Sequence, residues 1–385
     1  MRLRKLRSWG GPPLAWLNLI YAKNRLVVAI AAISFAVTMI FMQFGLFVAV
    51  LKGATLVYDH LNFDIVLMSS KSLEATYTQT FSRKQLYRVA GVEGVTSVMP
   101  CYIGFKAWRN PENKQKRSIL VMGFNLEDRI LKIAEVHKHL SDLQRQDTVL
   151  LNLLSRQEYG SPKVGLRTEL GKRRIEVVGL FSMSTTFRAD ASVIVSDQNF
   201  VRLNPGRSID DIDLGLITIN PKYNINTTID QLRQLLPENI EILNRSQAEA
   251  RDQEFWVRAS LIGYVFSIGA FVSFTVGTVI IYQILYTDVT DHIQEYATLK
   301  AIGYGSYPLA KVVLQESLIL AVLGFTPGFF IGLGLYQIIY MVTKLPIAMS
   351  LQLGILVFIF TVLMCSISAI LSIRKIIVIH PADVF

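Results

Sequence analysis

Hydrophobic positions in this chain gather into four long uncharged runs, with one long mixed stretch between the first and the second. Leu26–Leu51 contains no Asp, Glu, Lys or Arg, and neither do Ala259–Thr287, Ser317–Thr343 and Leu345–Ile373. A helix rises about 1.5 Å per residue and a hydrocarbon core is about 30 Å thick, so roughly 20 apolar residues suffice to cross it. Core helices of soluble proteins rarely run this long without a charge, so the pattern predicts transmembrane helices at 26–51, 259–287, 312–343 and 347–373. The third and fourth nearly abut, which requires a tight reversal near Lys344 and Pro346. The excess length allows tilt but fixes no angle.

The stretch between the first two runs, residues 53–256, has a different texture. Short β-branched or apolar segments recur at Phe63–Met68, Ser118–Gly123, Ile175–Phe181, Ser192–Val195, Leu214–Ile219 and Ile240–Leu243. Helical patterns at Ser82–Ala90, Glu127–Leu140 and Thr227–Leu236 separate them, the last begun by a Thr and stopped by Pro237. An α+β domain follows, in two lobes. Ser246–Trp256 is polar and helical in composition and abuts the second apolar run, which predicts one continuous helix joining domain to membrane.

Charge orients the chain. Arg2, Arg4, Lys5, Arg7, Lys23 and Arg25 precede the first span with no acid among them, and Arg374 and Lys375 follow the last. The positive-inside rule keeps both termini cytoplasmic and puts residues 53–256 outside. With Lys52, that stretch holds 27 Lys and Arg against 24 Asp and Glu, so only 3 of the net +10 charges fall there. The other 7 sit on the short cytoplasmic and membrane-flanking parts, where they meet anionic lipid rather than nucleic acid. The N-terminal apolar run is about twice the 7 to 15 residues of a cleaved signal's core, so it reads as an uncleaved anchor. Pro13–Arg25 places Trp16 and Tyr21 beside basic residues, the pattern of a short amphipathic helix on the cytoplasmic face of a 1–25 segment.

No catalytic pattern emerges. Cys101 lies in the mixed stretch and Cys365 in the last span, so they are not expected to pair. His137 and His139 stand two apart on a charged segment and read as a solvated face, so no metal is expected. Gly165, Gly171, Lys172 and Arg173 approach a phosphate loop, but with one residue too many and Arg where Ser or Thr should hold magnesium. Gln43, Gln283, Gln337 and Gln352 do not amount to the interrupted helices of a secondary transporter.

Small residues recur four apart in two spans. Gly269, Ser273 and Gly277 line one face of the second; Gly324, Gly328 and Gly332 line one face of the third, beside Pro327. Such faces let helices approach closely, within a subunit or between two. Glu316, at the cytoplasmic end of the third span, is expected to reach water or Lys311.

The most informative segment is the loop between the second and third spans, residues 288–311. Asp291 followed three residues later by Gln294 predicts a capped helix start, and Gly303 a helix stop. Gln294, Glu295 and Thr298 share its polar side, and a helix this short needs a docking partner.

This loop resembles that of the MacB and FtsX type of ABC-transporter permease. The family reads roughly T-D, then R-E-I-G-T-L-K-A-L-G-A; here Thr287, Asp288, Glu295, Thr298, Leu299, Lys300, Ala301 and Gly303 match, and Gln294, Tyr296 and Ala297 depart. Glu316 matches the acid at the start of the family's third span, and Pro381-Ala382-Asp383 its ending in the 374–385 tail. The length, the basic N-terminal helix and the lack of a fused ATPase most resemble the DevC branch, known from heterocyst glycolipid exporters. The resemblance implies four spans with one large extracytoplasmic α+β domain between the first two, in a bacterial inner membrane. It implies a homodimer working with a separate ABC ATPase, which binds ATP and Mg, so that this chain carries no cofactor and is no enzyme. A membrane-fusion adaptor and a TolC-like outer-membrane channel would be further partners, and a glycolipid or other amphiphile the substrate. Asp288, Asp291, Glu295, Thr298, Leu299, Lys300 and Gly303 would then form the ATPase-coupling site. An FtsX-like regulator of a periplasmic enzyme and a lipoprotein-release permease share this topology.

Overall fold

The computed structural model describes residues 14–21, 23–186, 188–302 and 305–378. Arg2, Arg4, Lys5, Arg7, Gly303 and the Pro381-Ala382-Asp383 ending lie outside them. In chain order the elements are α1 (Leu14–Tyr21), α2 (Lys23–His60), β1 (Ile65–Ser69), β2 (Phe81–Ser82), α3 (Arg83–Arg88), β3 (Val95–Arg109), β4 (Lys116–Phe124), α4 (Ala134–Lys138) and α5 (Leu140–Leu143). There follow β5 (Thr148–Asn152), β6 (Arg167–Leu170), β7 (Arg173–Phe181), β8 (Ser192–Ser196), α6 (Asp197–Leu203), β9 (Asp211–Ile212), β10 (Leu214–Ile219), α7 (Ile225–Leu235), β11 (Ile240–Asn244) and α8 (Arg245–Glu254). The chain continues with α9 (Leu261–Asp291), α10 (Ile293–Ala301), α11 (Ser306–Thr343) and α12 (Leu351–Val378). Two compact units result: one of residues up to Phe47, Val265–Ile338 and Ala348 onward, the other of Val48–Tyr264 with Ile339–Ile347.

Among the described residues, α2, α9, α11 and α12 contain helices long and apolar enough to cross a membrane. In the first unit α2 and α11 mesh tightly. A Cβ on Gly324 would lie 2.4 Å from Ile33 Cγ2, one on Gly328 2.8 Å from Val37 Cγ1, and one on Gly332 3.4 Å from Phe41. Ile33, Val37 and Phe41 are successive residues on one face of α2, and the glycines opposite supply the space they occupy. Hydroxyls reinforce the seam: Ser34 Oγ donates to Gly324 O at 2.9 Å, Thr38 Oγ1 to Gly328 O at 3.3 Å, and Tyr336 Oη to Phe41 O at 2.5 Å. In α9, a Cβ on Gly269 would meet Gln43 and one on Gly277 would meet Met364 and Ala36, while Ser273 Oγ donates to Gly269 O at 2.8 Å. The small faces thus pack against helices of the same chain.

The second unit is built on a nine-stranded mixed sheet in the order β11-β1-β10-β3-β4-β8-β5-β7-β6. The far end of β3 also pairs with β6, Trp108 opposite Leu170, so β3, β4, β8, β5, β7 and β6 close on themselves. β11, β1, β10 and β3 form an open antiparallel part, and the long β3 belongs to both lobes. Apolar side chains fill both faces of the sheet, which is why β1, β5 and β8 are buried at every position. Local chemistry starts the short helices: Ser82 accepts from Lys84 N, Ser196 from Asn199 N, Asn224 from Asn226 N, and Asn244 with Gln247 forms a capping box on α8.

Two expectations change. Glu127–Leu140 is not one helix: turns occupy its first half, and only α4 and α5 are helical. His137 is exposed and His139 partly so, in keeping with a solvated face, and each also bonds locally, to Leu131 O at 2.8 Å and Asp142 Oδ2 at 3.1 Å. The continuous helix from Ser246 into the second span is also absent. After α8 the chain makes a π-helical turn, Phe255–Ala259, and Ser260 is extended at φ −92° and ψ 143° before α9 begins. Gly263 permits this fold-back, since a Cβ there would sit 2.3 Å from Val257 O.

Around that turn lies a buried polar cluster. Asp252 is 0% exposed and its Oδ2 accepts from Ala75 N at 2.9 Å. Glu74 accepts from Trp256 Nε1 at 3.0 Å and Thr76 Oγ1 at 2.6 Å, with Arg188 at 3.6 Å. Burial, with Glu74 beside it, pushes the Asp252 carboxyl up to about 7 against the pull of the Ala75 amide and Arg251. The end of α2 is held nearby: Arg245 donates to Tyr58 O at 2.6 Å and Leu61 O at 2.8 Å, one carbonyl in the last turn and one just past it. The reversal between α11 and α12 is gripped in the same unit, where Arg156 Nε and Thr185 Oγ1 both donate to Thr343 O, at 3.3 and 3.2 Å.

Candidate functional site

The segment between the second and third spans forms a compact polar site in the first unit. α9 continues through Asp288 to Asp291, so Asp291 caps no helix; His292 takes the N-cap position of α10 without a side-chain cap bond. His292 Nδ1 lies 3.0 Å from Asp288 O, which turns the ring back onto α9. α10 is nine residues long and presents two faces. Tyr296 and Ala297 are buried, whereas Gln294, Glu295 and Thr298 are exposed and Leu299 and Lys300 half-buried. A helix this short gains little from its own hydrogen bonds; the buried pair docks it against its neighbours.

What it docks on is charged. Arg25 at the start of α2 lies 3.4 Å from Asp288 Oδ1 and also contacts Asp291 Oδ2. Asp288 is buried, so its pairing matters more than that of the half-exposed Asp291, where solvent reduces an ion pair to at most about 1 kcal/mol. Glu316 of α11 is 0% exposed, and its Oε1 accepts from Asn18 Nδ2 of α1 at 2.9 Å. Its partner is thus a residue of the N-terminal helix, neither water nor Lys311, which is itself exposed. Glu316 Oε2 and Tyr296 Oη have no hydrogen-bond partner among the described residues. Burial first, and then the carboxylates of Glu316 and Asp288, raise the Tyr296 phenol and keep it protonated. α1 accordingly does more than lie on a surface: Ala15 and Leu19 are buried while Tyr21 is 88% exposed.

The site thus joins α1, the start of α2, the end of α9, α10 and the start of α11. Of the predicted residues, Asp288 and Asp291 anchor its base, Glu295 and Thr298 form the open face of α10, and Leu299 and Lys300 flank it. Gly303 lies outside the described residues. Asn18, Arg25, Tyr296 and Glu316 complete the site, and local spacing singles out none of them as partners.

Residues 259–381 match the family model described as FtsX-like permease C-terminal. The last third of the chain is thus similar to the C-terminal domain of FtsX-like permeases. No curated protein matches the chain. Among solved structures, the periplasmic region of MacB from Actinobacillus actinomycetemcomitans is similar at 12% identity, over 50% of this chain and 94% of that one, with a TM-score of 0.37. The extracellular domain of the noncanonic ABC-type transporter YknZ from Gram-positive bacteria gives 16% identity over 48% and 100%, with a TM-score of 0.34. A domain of a putative permease protein from Porphyromonas gingivalis gives 12% over 48% and 87%, with a TM-score of 0.31. The matched segment contains α9, α10, α11 and α12 whole, and so holds every acid of the site; Asn18 and Arg25 reach it from the N-terminal side. No cluster of metal-ligating side chains occurs among the described residues.

Proposed function

We propose that this chain is the membrane-spanning permease subunit of an ABC exporter, with α10 as the contact for a separate ATPase. The observation that carries this reading is the two-faced α10 inside the FtsX-like domain: Tyr296 and Ala297 bury one side, while Gln294, Glu295 and Thr298 stand free on the other. A short helix seated by its buried Tyr296 and Ala297 can be pushed as a unit, which is what a coupling element requires. ATP and Mg would be bound by the ATPase, and this chain would act as a homodimer without a cofactor of its own.

In this reading the N- and C-termini are cytoplasmic, the membrane is a bacterial inner membrane, and the sheet-rich unit is periplasmic. The break at Ser260 interrupts the helical path from α8 into α9. α2 is one uninterrupted helix of 38 residues, about 57 Å at 1.5 Å per residue and well beyond a hydrocarbon core of about 30 Å. The Arg245 and Arg156 contacts hold the last turns of α2 and α11 within the sheet-rich unit. That unit would engage a membrane-fusion adaptor, and through it a TolC-like channel, to export a glycolipid or other amphiphile as in the DevC branch.

Purification of the tagged chain from its native membrane, with mass spectrometry of bound proteins and lipids, tests this reading. An ATPase, an adaptor and an amphiphile are expected together. A bound cell-wall hydrolase without an adaptor would replace export by regulation.

A further inference from the structure

The sheet-rich unit carries a charged surface that the coupling reading does not use. The β6–β7 hairpin turns at Gly171, with φ +64°, and Gly171 N donates to Ala107 O at 2.7 Å. Two adjoining grooves, of about 590 and 800 Å³, flank this hairpin and share Asp147 and Arg174. Three acids line them, and each is already matched by a lining arginine: Glu169 with Arg109 at 2.9 Å, Glu176 with Arg167 at 3.2 Å, Asp147 with Arg173 at 3.2 Å. Lys106, Lys114, Lys172, Arg174 and Arg202 line the same grooves, and none forms an ion pair among the described residues. Burial first, and then the nearby Arg207, pull the Lys106 ammonium below its usual value.

The arrangement of these cations selects the ligand. A compact anion such as phosphate is held where donors converge, at a helix N-terminus or a nest of backbone amides. Here the unmatched charges are strung along a hairpin and its flanks, both grooves are open, and no aromatic side chain lines either. Carboxylates spaced along an extended chain satisfy such a row, and the guanidinium forks of Arg174 and Arg202 suit them two oxygens at a time. We propose that the β6–β7 hairpin face is a docking surface for an acidic segment of a partner protein. This proposal stands apart from the α10 reading, because its residues belong to the sheet-rich unit alone.

The test uses the full chain in neutral nanodiscs and a fluorescein-labelled oligoglutamate peptide, read by anisotropy. Binding is expected, weakening as salt rises. Reversing two exposed charges in Lys172→Glu/Arg174→Glu should weaken it about tenfold, because several exposed pairings are replaced by repulsions. Lys222→Glu, an exposed reversal between β10 and α7, should leave it unchanged. An unaltered melting temperature is expected for the double variant, since both side chains are exposed. Absence of peptide binding, equal loss in the Lys222 variant, or no loss in the double variant would overturn the proposal. Displacement of the peptide by inorganic phosphate or by phosphatidylglycerol vesicles at lower charge concentration than free oligoglutamate would overturn it too, in favour of a phosphate or lipid headgroup.

Discussion

Asn18 Nδ2 donates to Glu316 Oε1 at 2.9 Å, joining residues 298 positions apart in sequence. The bond ties the N-terminal helix to the start of α11 at a carboxylate with no exposure to solvent. Removing one partner of a buried polar pair costs about 1 to 3 kcal/mol, more if the remaining group is charged, whereas removing both is often near neutral. Asn18→Leu should therefore lower the melting temperature in nanodiscs. Asn18→Leu/Glu316→Leu should recover most of the loss; additive losses in the double variant would show that the two side chains do not act as a pair.

The α2–α11 seam gives a contrast between two glycines of one helix. A Cβ at Gly328 would sit 2.8 Å from Val37 Cγ1 and 2.9 Å from Ser34 O, while Gly334 has nothing within 4 Å. Gly328→Leu should destabilise by about 1 to 3 kcal/mol. Gly334→Ala should be neutral or stabilising by up to about 1 kcal/mol, because alanine favours the helix. Equal melting temperatures for Gly328→Leu and wild type would remove the seam from the account.

Asp252 makes stability depend on pH with a defined sign. Its carboxyl rises from 3.8 in the free state to about 7 when folded, so the native state holds the proton more tightly than the unfolded one. Stability from this group is complete below about pH 4 and declines as pH rises through 7. Asp252→Asn keeps an acceptor for Ala75 N and cannot ionise. Its melting temperature relative to wild type should climb between pH 4 and 8; a difference that stays constant over that range would rule out a protonated Asp252.

Orientation is open to direct labelling. Both native cysteines are buried, so a new thiol reports alone. Gln115→Cys and Thr298→Cys lie at exposed positions; an impermeant maleimide added to intact cells should label the first and not the second. The reverse pattern would invert the proposed topology.

How far the sequence carries depends on the range of the interaction. The strands β1, β4, β7, β8, β10 and β11 coincide with β-branched or apolar runs, a local property. β3 escapes such reading because Pro100, Gly104 and Lys106 interrupt it, although it is the strand both lobes share. The polar face of α10 is visible in the spacing of Gln294, Glu295 and Thr298, but what holds the helix is not. Asp291 looks like a cap until Arg25 is brought to it across 266 positions. The grip on Thr343 uses a backbone carbonyl, which no residue type announces. The break at Ser260 is equally hidden, because polar composition distinguishes a helix from a strand better than it marks where one helix yields to the next.

The central claim, that α10 receives the ATPase, rests on its free face. Glu295→Lys reverses an exposed charge there, and Leu299→Asp puts an acid beside it where a partner would have to bury it unpaired. Both substitutions leave Tyr296 and Ala297 in place, so insertion into the membrane and the fold of the sheet-rich unit should persist. The deciding measurement is the amount of ATPase that copurifies with each variant from native membranes, normalised to the chain itself. The account predicts loss of the ATPase with Leu299→Asp while partners of the sheet-rich unit are retained. Full ATPase recovery with Leu299→Asp would contradict it.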